Sequence, residues 1–368
     1  MQSASSSSVD FMKRAIVLGE MSRLVSPPNP WVGALIVKNQ QIIAEGSTRP
    51  PGQEHAEIVA LKKAAELADG SDLYVTLEPC SHYGRTPPCY EAVIKAGIKR
   101  VFVSVQDPDP RVSGRGIQAL RDAGVSVTVG LCEAETNESL KPYLHHRRTT
   151  TPYTIIKAAV SLDGRIAAQD GTSQWISSEE ARVDAHELRA CCQAIMVGSN
   201  TALKDRPALT VRLAAQSPIY TPIRVLVDGR GRVPAEGPLF DTQLAPTLVF
   251  SSKQASSSRI SEWEKAGAEV LVLELDATGK VDLREGWVEL GKRGVLQLLV
   301  EGGPVLQSTL IADSNFQQLT LYSGPLLLGA TGQPLFLPSI ATLSQAPCFQ
   351  LKKVTLFGQS VRTDYSPF

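Results

Sequence analysis

The chain has 368 residues, of which 43% are hydrophobic and 20% charged, a composition typical of globular proteins and unlike that of disordered or fibrous chains. Lysine plus arginine total 37 and aspartate plus glutamate total 37, so the zero net charge argues against partners such as nucleic acid or an anionic membrane surface. A chain of this length is expected to fold as two domains.

No export signal or membrane segment is expected. Residues 1–10 form a Ser-rich polar tail without the basic and apolar regions of a signal peptide. The longest apolar runs, such as residues 295–300, are far shorter than the roughly 20 residues that span a bilayer. The 6 cysteines are irregularly spaced, which favours metal binding or catalysis over a disulfide framework. We therefore expect a cytosolic protein.

Strands alternate with helices in the first part of the chain. Hydrophobic periodicity predicts, in order, a helix at 9–23, strands at 34–37 and 41–45 joined by a turn at Asn39-Gln40, a helix at 56–68, a strand at 73–77, a helix at 90–96, a strand at 100–105, a helix at 116–123 and a strand at 125–129. A hairpin followed by βα units implies a largely parallel sheet with helices on both faces.

The pattern weakens between residues 131 and 152, where a mixed helix runs into a basic, Thr-rich stretch. We place the domain boundary here, giving domains at 1–146 and 147–368. The α/β rhythm then restarts with strands at 153–160, 194–197, 223–227, 247–250, 269–275 and 296–300. A helix is predicted to open at Ser177, because Ser177 to Glu180 has the spacing of a capping box. Residues 318–368 look β-rich and antiparallel, so the second sheet is expected to be mixed.

The strongest chemical signal is His55-Ala56-Glu57 at a helix start, followed by Cys80 and Cys89. One imidazole and two thiolates are three zinc ligands, and a catalytic zinc site leaves a fourth position to water. Zinc lowers the pKa of a bound water from about 15.7 towards 7. Glu57 lies beside the metal ligands in sequence and is suited to carry a proton to a leaving group. His-x-Glu with Pro-Cys-x-x-Cys is the zinc-deaminase signature. This chain departs from its second part, because eight residues and not two separate Cys80 from Cys89.

Plainer interpretations exist for each of these residues. A lone histidine at a helix start is more often a capping residue whose hydrogen bonds are satisfied. A lone cysteine is more often a small, buried hydrophobic residue. A purely structural zinc would require a fourth protein ligand, for which His82 is the obvious candidate. The three ligands occurring together with Glu57 favour a catalytic metal.

The loop between the two cysteines resembles a known family. Residues 76–89, T-L-E-P-C-S-H-Y-G-R-T-P-P-C, resemble the deaminase domain of the bifunctional riboflavin-biosynthesis enzymes, and so do residues 28–33, P-N-P-W-V-G. The resemblance implies a cytidine-deaminase-like three-layer α/β domain, with His55, Cys80 and Cys89 as zinc ligands and Glu57 as the catalytic residue. It also implies that Asn29 lines the pyrimidine pocket.

The second part of the chain lacks a G-x-G-x-x-G after any strand, so a Rossmann dinucleotide site is not supported. Residues 300–304, V-E-G-G-P, place glycines between a buried strand and a helix. Backbone amides at such a helix start can hold a phosphate. A tight strand-to-helix turn explains the same residues, and spacing alone does not decide between the two.

Several ordered motifs of the second part resemble the reductase domain of the same family, which is similar in fold to dihydrofolate reductase. They are S-L-D-G-R at 161–165, S-Q-W-I at 173–176, V-G-S-N-T at 197–201, D-R-P-A-L-T-V-R at 205–212 and the E-G-G-P turn. The implied cofactor is NADPH, with contacts at Ala159, Trp175, Thr201, Asp205, Gly229, Gly303, Pro304, Val305, Leu306, Gln307, Ser308 and Thr309. The implied ribose-phosphate contacts are Ser173, Arg189, Leu209, Arg212 and Glu301.

Together these resemblances imply a bifunctional enzyme. Its first half would deaminate a diaminopyrimidinone ribosyl phosphate with zinc, and its second would reduce the ribosyl group of the resulting uracil to the ribityl form with NADPH. A homo-oligomer is expected. Two other readings are a cytidine or RNA-base deaminase with a binding platform, and a non-catalytic zinc-stabilised module.

Two positions in the reductase half raise separate questions. Arg206 stands where relatives often carry an acidic or polar residue, which would alter the charge near the cofactor. Residues 251–253, Ser-Ser-Lys after a predicted strand, are a candidate site for the cofactor's 2′-phosphate. Lys157 and Asp205 are candidate polar groups for the reduction.

Overall fold

A computed structural model describes residues 6–83, 87–213 and 219–368. It divides into two compact units, Met1–Thr150 and Thr151–Phe368. The predicted boundary between residues 146 and 147 falls inside a helix, and the division between the units lies after Thr150.

The first unit contains one mixed sheet and its covering helices. Its strands are β1 (Gly33–Lys38), β2 (Gln41–Ser47), β3 (Asp72–Leu77), β4 (Arg100–Val105) and β5 (Ser126–Val129), in the order β2-β1-β3-β4-β5. Its helices are α1 (Ser6–Met21), α2 (Ala56–Ala64), α3 (Cys89–Lys95), α4 (Arg115–Asp122) and α5 (Glu133–Thr149).

Alternation along β1 explains the layers of this unit. Leu35 and Val37 point to one face, where they join Met12 and Leu18 of α1 in one core cluster. Helix α5 contacts α1 on that side, and α2, α3 and α4 contact one another in sequence. The hairpin β1–β2 turns through Asn39-Gln40, both with positive φ, as a two-residue hairpin turn requires. The predicted three-layer α/β arrangement is confirmed.

The second unit is built on a longer sheet. Its strands are β6 (Tyr153–Val160), β7 (Arg165–Ala167), β8 (Ala194–Gly198), β9 (Ile223–Val227), β10 (Thr247–Ser252), β11 (Glu269–Leu273), β12 (Gln297–Val300), β13 (Gln318–Ser323), β14 (Gln333–Pro334), β15 (Phe349–Phe357) and β16 (Ser360–Pro367). Its helices are α6 (Glu179–Ala190), α7 (Ser199–Asp205), α8 (Ser257–Lys265), α9 (Arg284–Lys292) and α10 (Pro304–Ala312).

Strand order in the main sheet is β11-β10-β9-β8-β12-β6-β13-β16-β15. The strands from β11 to β13 run parallel, and β16 and β15 add an antiparallel end. The mixed sheet predicted from the C-terminal sequence is therefore confirmed. The next strand after β8 in the sequence, β9, is added on the β11 side of the sheet. The next strand after the neighbouring β12 is β13, which is added on the β15 side. The connections from β8 and β12 therefore run in opposite directions along the sheet. Ligands of open α/β sheets bind in the crevice at such a switch point.

Three local predictions need correction. Helix α1 begins at Ser6, within the stretch expected to be a polar tail, and not at residue 9. Helix α6 is capped by Ser178, whose hydroxyl accepts from the Ala181 amide at 3.3 Å, and not by Ser177. The stretch read as mixed is the continuous helix α5, which accommodates Pro142 in its interior and whose polar outer face masked the helical periodicity.

In the described part of the chain, every helix is too short or too polar to serve as a membrane span.

Candidate active sites

The predicted metal ligands converge in the first unit. His55 Nδ1 lies 3.6 Å from Cys80 Sγ and 3.3 Å from Cys89 Sγ, and the ligand atoms of the three residues all lie within 4.8 Å of one another. A tetrahedral zinc with Zn–N of about 2.0 Å and Zn–S of about 2.3 Å places its nitrogen and sulfur ligands about 3.5 Å apart. The three side chains therefore fit zinc as they stand.

Local structure explains how distant residues reach one point. His55 is the residue before α2, Cys80 follows the carboxyl end of β3, and Cys89 is the first residue of α3. The Cys89 amide donates to Cys80 Sγ at 3.3 Å. Hydrogen bonds with Cys89 and His55 lower the pKa of Cys80 to about 4, whereas the hydrogen bond with Cys80 and burial raise the pKa of Cys89, so Cys80 is the first of the two to ionise.

Glu57 lies in the first turn of α2 and is 4% exposed. Burial raises the pKa of its carboxyl, while the nearby His55 opposes that shift. Glu57 lines a cavity of about 130 Å³ together with Asn29, His55 and Cys80, as expected from the sequence. His82 lines the same cavity but is not part of the metal-ligand cluster found among the described residues, so the fourth-ligand reading gains no support. The loop residues 84–86 lie outside the described residues.

Close packing of α1 against β1 explains the glycine that ends the P-N-P-W-V-G segment. A Cβ on Gly33 would lie 1.8 Å from the Ala15 carbonyl oxygen, so only glycine allows α1 to approach β1 here. The Gly33 amide donates to Thr76 Oγ1 at 3.1 Å, which ties β1 to the strand that leads to Cys80.

The sequence prediction missed one wall of the cavity beside the metal ligands. This wall contains Asp107, Asp109, Arg111, Tyr143 and Arg147. Tyr143 donates to Asp107 Oδ2 at 2.9 Å, and Arg111 donates to Asp109 at 3.0 and 2.6 Å. The signal was the D-P-D-P sequence directly after β4, because carboxyl ends of parallel strands meet at one edge of a sheet.

Glu78 fixes the loop that carries this wall. Its carboxylate accepts from the amides of Asp107, Gly114, Gly116 and Ile117 at 2.9 to 3.3 Å. Burial raises the pKa of Glu78, and these backbone donors oppose the shift. Glu78 thus acts as a scaffold carboxylate, a role that its place in T-L-E-P-C did not reveal.

The second unit holds two neighbouring cavities at the switch point between β8 and β12. We call the one of about 550 Å³ the inner cavity and the one of about 380 Å³ the outer cavity. Both volumes fall in the range of about 300–1,000 Å³ that is usual for ligand pockets. The residues that line both are Asn200, Thr201, Gly303 and Pro304.

Most of the predicted reductase residues lie on these cavities. The inner cavity is lined by Ala159, Ser173, Trp175, Arg189, Thr201, Asp205, Arg212, Glu301, Gly303, Pro304 and Gln307. The outer cavity is lined by Thr201, Gly229, Gly303, Pro304, Val305, Leu306 and Thr309. Two predicted residues line neither. Leu209 is 3% exposed in the core beside Leu188, and the Ser308 hydroxyl accepts from the Leu337 amide at 3.0 Å.

A buried charge cluster forms the floor of the inner cavity. Arg189 donates two hydrogen bonds of 2.6 Å to Glu301 and a third of 3.1 Å to the Thr210 carbonyl. Burial opposes ionisation of Glu301, but Arg189 and Lys157 lower its pKa to about 2. Burial lowers the pKa of Lys157, which Glu301 partly restores. Because Arg189 is already committed to Glu301, Arg212 is the cation better placed to meet a ligand phosphate.

Other charged residues of the inner cavity escaped the sequence analysis. They include Arg182 and Lys204, together with the titratable His186, whose pKa burial lowers to about 4. Arg182 stacks over the Trp175 ring at 4.4 Å, and Lys204 donates to the Gly171 carbonyl. Arg206 does not line either cavity and lies 3.9 Å from Glu236, so the charge that it adds lies outside both cavities.

Known proteins match both units. Residues 5–105 match the cytidine and deoxycytidylate deaminase zinc-binding region, and residues 152–363 match the RibD C-terminal domain. The chain is 43% identical to the riboflavin biosynthesis protein RibD of Chlamydia pneumoniae over 98% of this chain and 96% of that protein. It is 40% identical to RibD of Escherichia coli over 95% of this chain and 97% of that protein.

The chain belongs to the RibD family. Form 1 of Acinetobacter baumannii RibD superposes with a TM-score of 0.90 at 34% identity, covering 98% of this chain and 99% of that one. A Thermotoga maritima structure described as a diaminohydroxyphosphoribosylaminopyrimidine deaminase/5-amino-6-(5-phosphoribosylamino)uracil reductase has a TM-score of 0.86 at 31% identity, covering 98% and 99%. Like other RibD proteins, the chain is a bifunctional deaminase and reductase of riboflavin biosynthesis, with a zinc-binding deaminase domain and an NADPH-dependent reductase domain. The predicted family, fold class and cofactors are confirmed.

Proposed function

We propose that the first unit deaminates a diaminopyrimidinone ribosyl phosphate and that the second reduces 5-amino-6-(5-phosphoribosylamino)uracil to its ribityl form. The observation that carries the proposal is the convergence of His55, Cys80 and Cys89 beside the buried Glu57. The domain bounds 1–146 and 147–368 remain our proposal for the two activities.

In the deaminase, His55, Cys80 and Cys89 would hold zinc, which when bound activates water for attack on an amino-bearing ring carbon. Asn29 orients the pyrimidine from the cavity wall. Glu57 takes a proton from the attacking water and passes it to the departing amine, so that ammonia leaves and a carbonyl remains. The burial of Glu57 keeps bulk water from competing for that proton.

In the reductase, the inner cavity would hold the ribosyl phosphate and the nicotinamide, and the outer cavity the rest of the cofactor. NADPH supplies the hydride for C1 of the opened sugar. The glycine turn supports this placement, because a Cβ on Gly303 would lie 3.2 Å from Thr201 Oγ1 and narrow the passage. Ser173 and Arg212 bind the phosphate, while Glu301 holds Arg189 and Lys157 in place. Leu209 and Ser308 support the cavity walls from behind.

The direct test of this function uses purified protein and the aminopyrimidine phosphate. We expect one zinc per chain, ammonia release from this compound and not from cytidine, and NADPH consumption that follows ammonia release. In Cys89→Ser we expect the zinc content and ammonia release to fall together, while NADPH consumption with the uracil substrate persists. Ammonia release from cytidine alone would contradict the proposed substrate. Cys132→Ser, outside the metal cluster, is the matched control.

We further propose that the protein forms homo-oligomers through the exposed edge strand β15. The register with β16 places Leu351, Val354 and Leu356 on one face, where they are 52%, 54% and 75% exposed. A long edge strand with exposed apolar side chains favours pairing with another chain. A cytosolic location is proposed as well, supported by the free cysteines Cys132 and Cys348.

The oligomer proposal predicts a change in mass on disrupting this stripe. We expect Leu356→Lys to shift the protein towards monomer in light scattering coupled to size-exclusion chromatography, because a charge there would be buried on pairing. Gln350→Lys, an exposed position of the same strand that faces away from the stripe, is the control and should leave the mass unchanged. A Leu356→Lys protein with the mass of the unaltered protein would exclude this surface.

A further inference from the structure

We propose that Arg230 binds the 2′-phosphate of NADPH and is the residue by which the reductase unit prefers NADPH to NADH. The inference rests on the proposed placement of the cofactor in the outer cavity. It assigns a residue that neither the sequence motifs nor the resemblance singled out.

The position of Arg230 follows from the strand order. Strand β9 pairs with β8 in parallel, and the loop after β9 lies at the carboxyl edge beside the switch point. In Rossmann sheets, an acid after a neighbouring strand binds the ribose 2′-hydroxyl, whereas an arginine accommodates the 2′-phosphate. This unit lacks the Rossmann glycine motif, but the loop after β9 has the same kind of position beside a switch point. The residues that follow β9 are Asp228, Gly229 and Arg230.

The acid in this loop is turned inward. Asp228 is 1% exposed, and its Oδ2 accepts from the Val233 amide at 2.7 Å. Its carboxylate therefore shapes the loop. The other charged residues that line the outer cavity are Arg230, Arg232 and Lys280, all exposed. The charge presented to a ligand here is positive, as a 2′-phosphate requires.

Two of the three cations are held by neighbouring hydroxyls. Arg232 donates to Ser199 Oγ at the start of α7, and Lys280 Nζ donates to Thr309 Oγ1, in the second half of α10, at 2.9 Å. Within the described residues, the Arg230 guanidinium makes no hydrogen bond or ion pair. A planar guanidinium that is not already engaged can bind phosphate with two parallel hydrogen bonds. Arg230 is therefore the best placed of the three.

The loop backbone that carries Arg230 is fixed from below. Ser251 Oγ donates to the Asp228 carbonyl at 3.0 Å, and Ser252 Oγ donates to the Gly229 carbonyl at 2.7 Å. Both serines are fully buried, and Lys253 is paired with Glu274 outside the cavity. The structure thus contradicts the 2′-phosphate site considered at residues 251–253, since these serines hold the loop and their hydroxyls do not face the cavity.

The test is equilibrium binding by isothermal titration calorimetry, with full-length Arg230→Ala protein. NADPH and NADH are titrated, followed by the fragments 2′,5′-ADP and 5′-AMP. We expect Arg230→Ala to weaken the binding of NADPH and 2′,5′-ADP by about 10- to 100-fold, the effect of losing one charge-assisted hydrogen-bond contact to a phosphate. Binding of NADH and 5′-AMP should not change. Lys253→Ala, an exposed lysine outside the cavity, is the matched control and should bind all four ligands normally.

An unchanged preference for NADPH in Arg230→Ala would overturn the inference. An equal loss for NADH would also overturn it, because it would place Arg230 on a group that both cofactors share. Gly303→Leu tests separately whether the cofactor lies in the outer cavity. This substitution should weaken the binding of NADPH and of NADH alike. If the binding of both is unchanged, the cofactor does not lie in this cavity, and the proposed function fails independently of Arg230.

Discussion

Replacing Glu57 by glutamine is expected to lower the kcat/KM of deamination by about 10²- to 10⁴-fold, the contribution typical of a positioned proton donor and acceptor. Glutamine preserves the shape of the side chain in its buried site but cannot accept and release the proton. Zinc content should stay at the level of the unaltered protein, since His55, Cys80 and Cys89 are the converging ligands. Reduction of the uracil substrate should also persist. Ammonia release and NADPH consumption, measured separately on the two substrates, check both statements.

The matched control is Glu66→Gln, an exposed glutamate in the short turn that follows α2. It should leave ammonia release unaltered. Full ammonia release by Glu57→Gln would exclude Glu57 as the proton carrier.

The second large effect is expected at the floor of the reductase cavity. Glu301→Ala should lower the free energy of unfolding of the second unit by about 3–5 kcal/mol, because it leaves Arg189 and Lys157 buried without their counter-charge. For a unit of this size the melting temperature should fall by about 6–20 °C. Glu301→Ala should lose reductase activity. Ammonia release by the first unit should persist even at temperatures at which the second unit of this variant has unfolded. Calorimetry together with the two activity assays makes this measurement.

The same carboxylate predicts a pH dependence. The folded-state pKa of Glu301 is about 2, below its ordinary value of 4.5. Its ionised form therefore stabilises the fold above pH 4.5, and this stabilisation is lost as the pH falls from 4.5 towards 2. Glu301→Ala should lack this part of the acid dependence.

Glu236→Ala is the control for the charge cluster. Glu236 lies 3.9 Å from Arg206, and their side chains are 70% and 63% exposed. An exposed pair contributes about 0–1 kcal/mol, so the unfolding transition should barely move. An equally small effect of Glu301→Ala would contradict the stabilising role assigned to the buried cluster.

Sequence patterns predicted the regular elements well where periodicity was strong. Strands β4, β6 and β9 have the predicted bounds, because β-branched residues alternate or run together between clear turn signals. Helix α5 was underestimated because its exposed residues are polar and it contains a proline. The cap of α6 was misplaced by one residue, since two consecutive serines have the same capping chemistry and only the backbone conformation separates them.

The cavity walls show what local sequence patterns could not predict. Arg189 and Glu301 are separated by 112 residues, and Arg147 lies at the far end of α5, yet each lines a cavity with residues of other elements. Local periodicity carries no information on which strands are neighbours. The importance of Arg230 is invisible for the same reason, because it depends on β9 lying beside β8 and on Asp228 turning inward.

The sequence by itself determined the candidate zinc ligands, the family and the alternation of strands and helices, because these depend on residue types at short spacings. Only the tertiary structure decided that the carboxyl ends of β8 and β12 meet at one switch point, and that Glu301 lies beside both Arg189 and Lys157. It also decided that Arg206 lies outside both cavities. The physical reason is that strand order and side-chain direction are set by the packing of the whole sheet, which no local pattern encodes.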